Sequence, residues 1–177
     1  MILLKLLTLP ILLLMPVLNI TDIKESKIRV DNKAKIKSFL KNISNVESSG
    51  GKNFNHDLIQ KGMHTGHKAI GRYGLMPNTV NEVLNRMRIK GTLTPELEKL
   101  NKLDATTLKS TLEQSPELED QIAETLAERI LERQQDEEKA AYSWHQGHNL
   151  TPDKITQQNY LDHDYVKKYN ELKSDEE

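Results

Sequence analysis

Three triplets of one kind, Thr94-Pro95-Glu96, Ser115-Pro116-Glu117 and Thr151-Pro152-Asp153, constrain this chain most. Each places a capping oxygen, a proline whose missing N–H costs nothing in a first helical turn, and an acid beside the positive end of the helix dipole. Asp104 offers the same capping oxygen again. Around these starts, apolar residues recur three and four apart, the period of a helix with one buried face. Val80, Val83, Leu84 and Met87 mark such a face in Asn78 to Arg88, stopped by Gly91. Leu118, Ile122, Leu126 and Ile130 mark the longest, with Ala123, Ala127 and Leu131 beside them; it is predicted to run on toward Ala140 and Tyr142 and to end at Gly147. The acids of that segment, Glu124, Glu128, Glu132, Asp136, Glu137 and Glu138, read as a solvated face. Tyr160 to Leu172 forms a final short helix ahead of an acidic tail. Alternating β-branched runs are scarce and aromatics make up 5% of the chain, so the sequence predicts an all-α fold.

The N-terminal stretch is of another kind. Met1 to Ile20 carries one charge, Lys5, in a leucine-rich run. A basic start, an apolar centre and a polar sequel suit a secretory signal peptide, and Pro10 and Pro16 disfavour a long straight span. No small-x-small triplet follows Leu14, which keeps an uncleaved N-terminal membrane anchor open. Either assignment puts Lys24 onward outside the cytoplasm, with residues 1–20 as the membrane contact. The domain reading is a leader over 1–22, a polar linker over 23–35 with Asp31 or Asn32 as a cap, one domain over 36–172 and the tail 173–177. A formal net charge of −1 gives no basic field for nucleic acid, and the absence of cysteine excludes disulfides and thiolate metal sites.

One acid stands in a core register. Ile36, Phe39, Leu40, Ile43 and Val46 form a helical stripe, and the next position on it after Leu40 and Ile43 is Glu47. Ser48, Ser49, Gly50 and Gly51 follow at once, so the helix ends there and leaves the carboxyl beside a hydrogen-bonding turn. Partial desolvation disfavours a carboxylate, raises its pKa toward the working pH and suits it to general-acid chemistry; a surface glutamate in a frayed last turn is the alternative. Gly50 to Gly74, rich in Gly, Asn and His, reads as a long irregular loop, and loops of that length in a compact domain are usually functional.

Four strings now fall in order: Glu47-Ser48-Ser49-Gly50-Gly51; Gly71-Arg72-Tyr73-Gly74-Leu75-Met76-Pro77-Asn78-Thr79; Ala140-Ala141-Tyr142-Ser143-Trp144-His145-Gln146-Gly147; and Tyr165-Val166-Lys167-Lys168. Together they resemble the successive motifs of the soluble lytic transglycosylase family of the lysozyme-like fold, over roughly Ile36 to Tyr169. The first matches the family's catalytic glutamate with its serine and glycine. The second matches a glycine-rich string ending Met-Pro-x-Thr through Gly71, Met76, Pro77 and Thr79. The third matches Ala-Ala-Tyr-Asn-Ala-Gly-x-Gly through Ala140, Ala141, Tyr142 and Gly147, and the fourth supplies a C-terminal tyrosine, Tyr165. Gly74 replaces the second motif's usual glutamine and Ser143 the third motif's asparagine, and Asn85 to Gln135 is longer than a minimal member, as an inserted helical pair would make it.

The resemblance implies a peptidoglycan lytic transglycosylase. Glu47 would protonate the departing oxygen of the β-1,4 bond between N-acetylmuramic acid and N-acetylglucosamine, then take the proton of the muramic C6 hydroxyl to leave a 1,6-anhydro end. Tyr142 would bond near Glu47, with Ser49, Tyr73, Met76 and Tyr165 lining the groove. One alternative is a muramidase that recruits a second carboxylate, for which Asp57 is the nearest candidate. Another is a non-catalytic peptidoglycan-binding protein or a virion or secretion-apparatus component. Trp144 suits either a sugar face or a helix-end core position, and the helix dipole accounts for His145 and His148. His56, His64 and His67 with Asp57 lack a zinc signature, so no metal and no cofactor are expected. The implied partner is the glycan strand, met by a monomer in the periplasm, at the outer face of the cytoplasmic membrane, or in a phage particle or lysis system.

Overall fold

The computed structural model describes residues 20–52, 69–157 and 159–174. Among them the secondary structure is helical, without a strand, and an isolated antiparallel bridge joins Ile70 to Leu75. Contacts divide the chain into Met1–Asn32 and Lys33–Glu177. The described residues of the first unit, from Ile20, are helical throughout; they begin α1 (Ile20–Ser48), so the stretch read as a linker is helix. No described helix is long and apolar enough to cross a membrane; of the leader read over 1–22, residues 1–19 lie outside the described residues and 20–22 begin α1.

In the second unit the rest of α1 is followed by α2 (Pro77–Lys90), α3 (Pro95–Leu100), α4 (Ala105–Gln114), α5 (Pro116–Gln134), α6 (Glu137–Gln146), α7 (Pro152–Thr156) and α8 (Asp164–Ser174), with a 3-10 turn at Tyr160–Asp162 before the last. The starts fall where the capping residues put them. Thr94 accepts from the Leu97 N–H, and Asp104 accepts from Thr106 and Thr107; caps of this kind each contribute about 1 kcal/mol. At its other end α2 stops on Gly91, whose left-handed φ of +70 lets its N–H turn back onto the last carbonyls.

One core collects the apolar faces. Phe39, Leu40 and Ile43 of α1 meet Val80, Val83 and Leu84 of α2, Leu108 and Leu112 of α4, and Ile122, Leu126 and Ile130 of α5, all nearly or fully buried. Burying each side chain of this size contributes about 1.5–3 kcal/mol, so α1, α2 and α5 with three such residues each contribute comparably. The row of α5 does not continue into Tyr142. Gln135 adopts φ +55 and Asp136 caps a new helix by accepting from the Lys139 N–H at 2.8 Å, so α5 and α6 are separate. Two of the acids read as solvated are also engaged: Asp136 in that cap, and Glu137 with Lys173 at 2.8 Å and with the Tyr169 hydroxyl.

Candidate active site

Glu47 lies in the last turn of α1, one step along the stripe that buries Leu40 and Ile43, and is itself partly exposed. The helix ends as Ser49 and Gly50 take φ +53 and +71 and the Gly50 N–H reaches back to Ser44 O at 3.1 Å. At that same end Lys168 of α8 donates to Val46 O at 2.8 Å, a cation on the negative end of the helix. Ser48, 1% exposed, joins the helix end to the next piece of the site. Its hydroxyl lies 2.9 Å from Arg72 O and 3.0 Å from Ser44 O, and accepts from the Gly51 N–H at 2.8 Å.

That next piece is a tight turn. Ile70 and Leu75 exchange N–H···O bonds of 2.7 and 3.0 Å, closing the chain between them, and Gly71 and Gly74 both adopt left-handed φ, +61 and +63. A Cβ on Gly74 would lie 2.6 Å from Glu47 Oε2. With the carboxyl where it stands only glycine fits between it and the turn, so main chain lies against Glu47.

Tyr165 of α8 supplies the other contact: its hydroxyl donates to Glu47 Oε1 at 2.9 Å. Burial, and then the charge of Glu47, hold this phenol well above the usual tyrosine range, so it remains a proton donor. The imidazole of His145 stacks on the Tyr165 ring at 4.4 Å and 17°, and His163 lies 5.4 Å beyond it. His145 is exposed, which leaves part of an aromatic stack open to solvent next to the carboxyl's hydrogen-bond partner. The carboxyl is therefore fixed in orientation yet reachable, the condition for exchanging a proton with an oxygen of a ligand.

Other residues singled out from the sequence fall in different places. Met76, partly exposed, occupies the N-cap position of α2 directly after the turn, and Ser49 is exposed two residues after Glu47. Tyr73 is 7% exposed; its hydroxyl donates to Asp120 at 2.7 Å and its N–H to Glu119 at 3.2 Å, so its side chain ties the turn to α5 instead of lining a groove. Tyr142 packs with Ile155 and Val166, its ring against those of Tyr160 and His163, and Tyr165 is the tyrosine that donates to Glu47. Ser143 is fully buried, its hydroxyl 3.3 Å from Gly147 O. Trp144 donates its indole N–H to Tyr73 O at 3.1 Å and packs edge-on against Phe39, which makes it a brace for the turn. His148 meets Glu82 at 2.7 Å, a specific partner where the sequence suggested only a helix end. Asp57, His56, His64 and His67 lie outside the described residues. Among those described, no three metal-ligating side chains come together.

One residue went unread in the sequence. Glu119, in the first turn of α5, is 3% exposed and sits under the turn, where it accepts the Tyr73 N–H and lies 3.9 Å from the Arg72 guanidinium. Burial pushes its carboxyl up to about 7, against the opposing pull of that N–H and of Arg72. The signal was there: Glu119, Ala123, Ala127 and Leu131 form a row at helical spacing, and all four are buried. No family model, curated protein or solved structure matches the chain.

Proposed function

We propose that the chain is a peptidoglycan lytic transglycosylase in which Glu47 is the single acid and base. The observation that carries this reading is the carboxyl of Glu47 at a helix end, held by the Tyr165 hydroxyl at 2.9 Å and bordered by the main chain at Gly74. The order of the four sequence strings supports it, because the first, second and fourth converge on that carboxyl.

In the proposed reaction protonated Glu47 gives its proton to the glycosidic oxygen, and the bond from that oxygen to C1 of the muramic residue breaks. The substrate's own N-acetyl oxygen supports the positive centre at C1. Glu47, now a carboxylate, takes the proton of the C6 hydroxyl of the same sugar, and the C6 oxygen bonds to C1. The product carries a 1,6-anhydro end, no water enters, and Glu47 is protonated again. Tyr165 keeps the carboxyl aimed in both halves and favours its ionised form in the second. The exposed His145, stacked on Tyr165, borders the approach, and Ser49 and Met76 keep the groove-lining roles that the resemblance implies.

The experiment is mass spectrometry of the fragments released from purified peptidoglycan by the chain from about Lys24 onward. Anhydro-muramic ends are expected from the wild type, with a loss of about 10²–10⁴-fold or more in Glu47→Gln and an unchanged melting temperature. Reducing ends would sink the transglycosylase reading in favour of a muramidase and direct attention to Asp57. Binding of glycan with no fragments would favour a non-catalytic wall-binding protein.

A further inference from the structure

We propose that Glu119 is a positioning residue for Glu47: from beneath the Ile70–Leu75 turn it seats the main chain that borders the catalytic carboxyl, and its ionisation loosens that seat. The inference rests on the reading of Glu47 as the catalytic acid. Its geometric basis does not.

The turn is gripped from several elements, and Glu119 is the innermost grip. Its Oε1 accepts the Tyr73 N–H at 3.2 Å, and a Cβ on Gly71 would lie 2.2 Å from the same oxygen, so main chain and carboxyl are in direct contact at both residues. Its neighbour Asp120 takes the Tyr73 hydroxyl at 2.7 Å and pairs with the Arg72 guanidinium. From α1, Ser48 holds Arg72 O at 2.9 Å; from α6, Trp144 holds Tyr73 O at 3.1 Å; from α4, Lys109 holds Ala69 O at 2.9 Å and pairs with Glu113 at 2.6 Å. Any shift at Tyr73 passes to Gly74, whose missing side chain is the space that Glu47 occupies.

Among the described residues, the charged groups that act on Glu119 are Arg72 at 3.9 Å and Asp120 beside it on α5. The Tyr73 N–H and Arg72 favour the charged form of this carboxyl, but at 3% exposure the cost of burying the charge outweighs both, so the carboxylate is driven toward water and away from the turn, whereas the neutral acid stays and accepts the Tyr73 N–H. The folded value of about 7 therefore stands above the ordinary carboxyl value of 4.5. An acid shifted in that direction is the more stabilising the lower the pH. Its contribution is complete below the unfolded value and is lost as pH rises through 4.5 toward 7.

Trp144 is the chain's single tryptophan and donates to the turn itself, so its emission reports the seat of the turn with no substrate present. The test follows Trp144 emission and melting temperature from pH 5 to pH 8.5 in the wild type, Glu119→Gln and Glu119→Ala, with the rate of release of anhydro ends measured alongside. The wild type is expected to show an emission transition near the value of about 7 and to lose roughly 5–10 °C of melting temperature relative to Glu119→Gln across that range. Glu119→Gln keeps an acceptor and removes the charge; it should abolish the transition and carry kcat to higher pH with KM unchanged. Glu119→Ala should lower kcat at least tenfold at every pH.

An emission transition that persists in Glu119→Gln belongs to another group, and His145, held below its ordinary value by partial desolvation and by His163, is the first of these; that outcome overturns the proposal. Melting and rate profiles of Glu119→Gln that follow the wild type also overturn it. If the wild type releases no fragments while emission and melting behave as expected, it is the assignment of Glu47 that fails, and Glu119 stands only as the seat of the turn.

Discussion

Glu47 and Glu119 are two glutamates in two helices, each on a row whose other members are core residues, and each with a glycine of the same turn pressed against its carboxyl. They differ in water and in partners. Glu47 is partly exposed and receives a phenol O–H from α8, whereas Glu119 is 3% exposed and receives a main-chain N–H. One residue type in one register thus serves two ends. The carboxyl proposed to pass a proton to a ligand is oriented and reachable; the one that holds a backbone in place is enclosed, and its pKa rises in consequence.

The two glycines offer the sharpest way to break that comparison. Gly71→Ala puts a methyl 2.2 Å from a carboxyl that has no room to move, at φ +61. It should cost about 3 kcal/mol or more, seen as a fall of roughly 6–12 °C in melting temperature. Joined to Glu119→Ala the overlap disappears, so the double variant should melt higher than the two single losses added together. A Gly71→Ala protein that melts with the wild type would mean that Glu119 moves aside freely, and the distinction would collapse. Gly74→Ala puts its methyl 2.6 Å from Glu47, which is exposed enough to swing away. The fold should lose only about 1 kcal/mol, while the carboxyl leaves Tyr165 and cleavage falls about 100-fold, or about 2.7 kcal/mol in barrier. Similar stability losses in the two alanine variants would contradict this.

Tyr165→Phe is the smaller perturbation. Removing one donor from a charged acceptor costs about 1.4 kcal/mol, which is about tenfold in rate. Because that donor favours the ionised carboxyl, its loss should raise the pKa of Glu47 and move the alkaline limb of the rate profile to higher pH; a shift to lower pH would assign the limb to another group.

Much of this was legible in the residues. The capping triplets located α3, α5 and α7, and the stripe from Ile36 to Val46 located Glu47, because both are local patterns that the helix period enforces. The same rule identifies Glu119, because Glu119, Ala123, Ala127 and Leu131 form a face of their own beside the larger residues of the neighbouring row. That Tyr165 reaches Glu47 was not legible: it depends on which face of α8 meets α1, a tertiary fact that no local spacing encodes. Nor was the break after Gln134, since apolar and small residues continue on the far side and only the left-handed backbone of Gln135 and the Asp136 cap interrupt them.

The bond from Tyr165 to Glu47 spans 118 positions, and Lys168 reaches back to the same helix end. Glu47 therefore leaves the ribosome long before the two residues that hold it. A growing chain that has not yet made α8 has the acid but neither the phenol that aims it nor the lysine that caps its helix, so the site assembles only once α8 has been made.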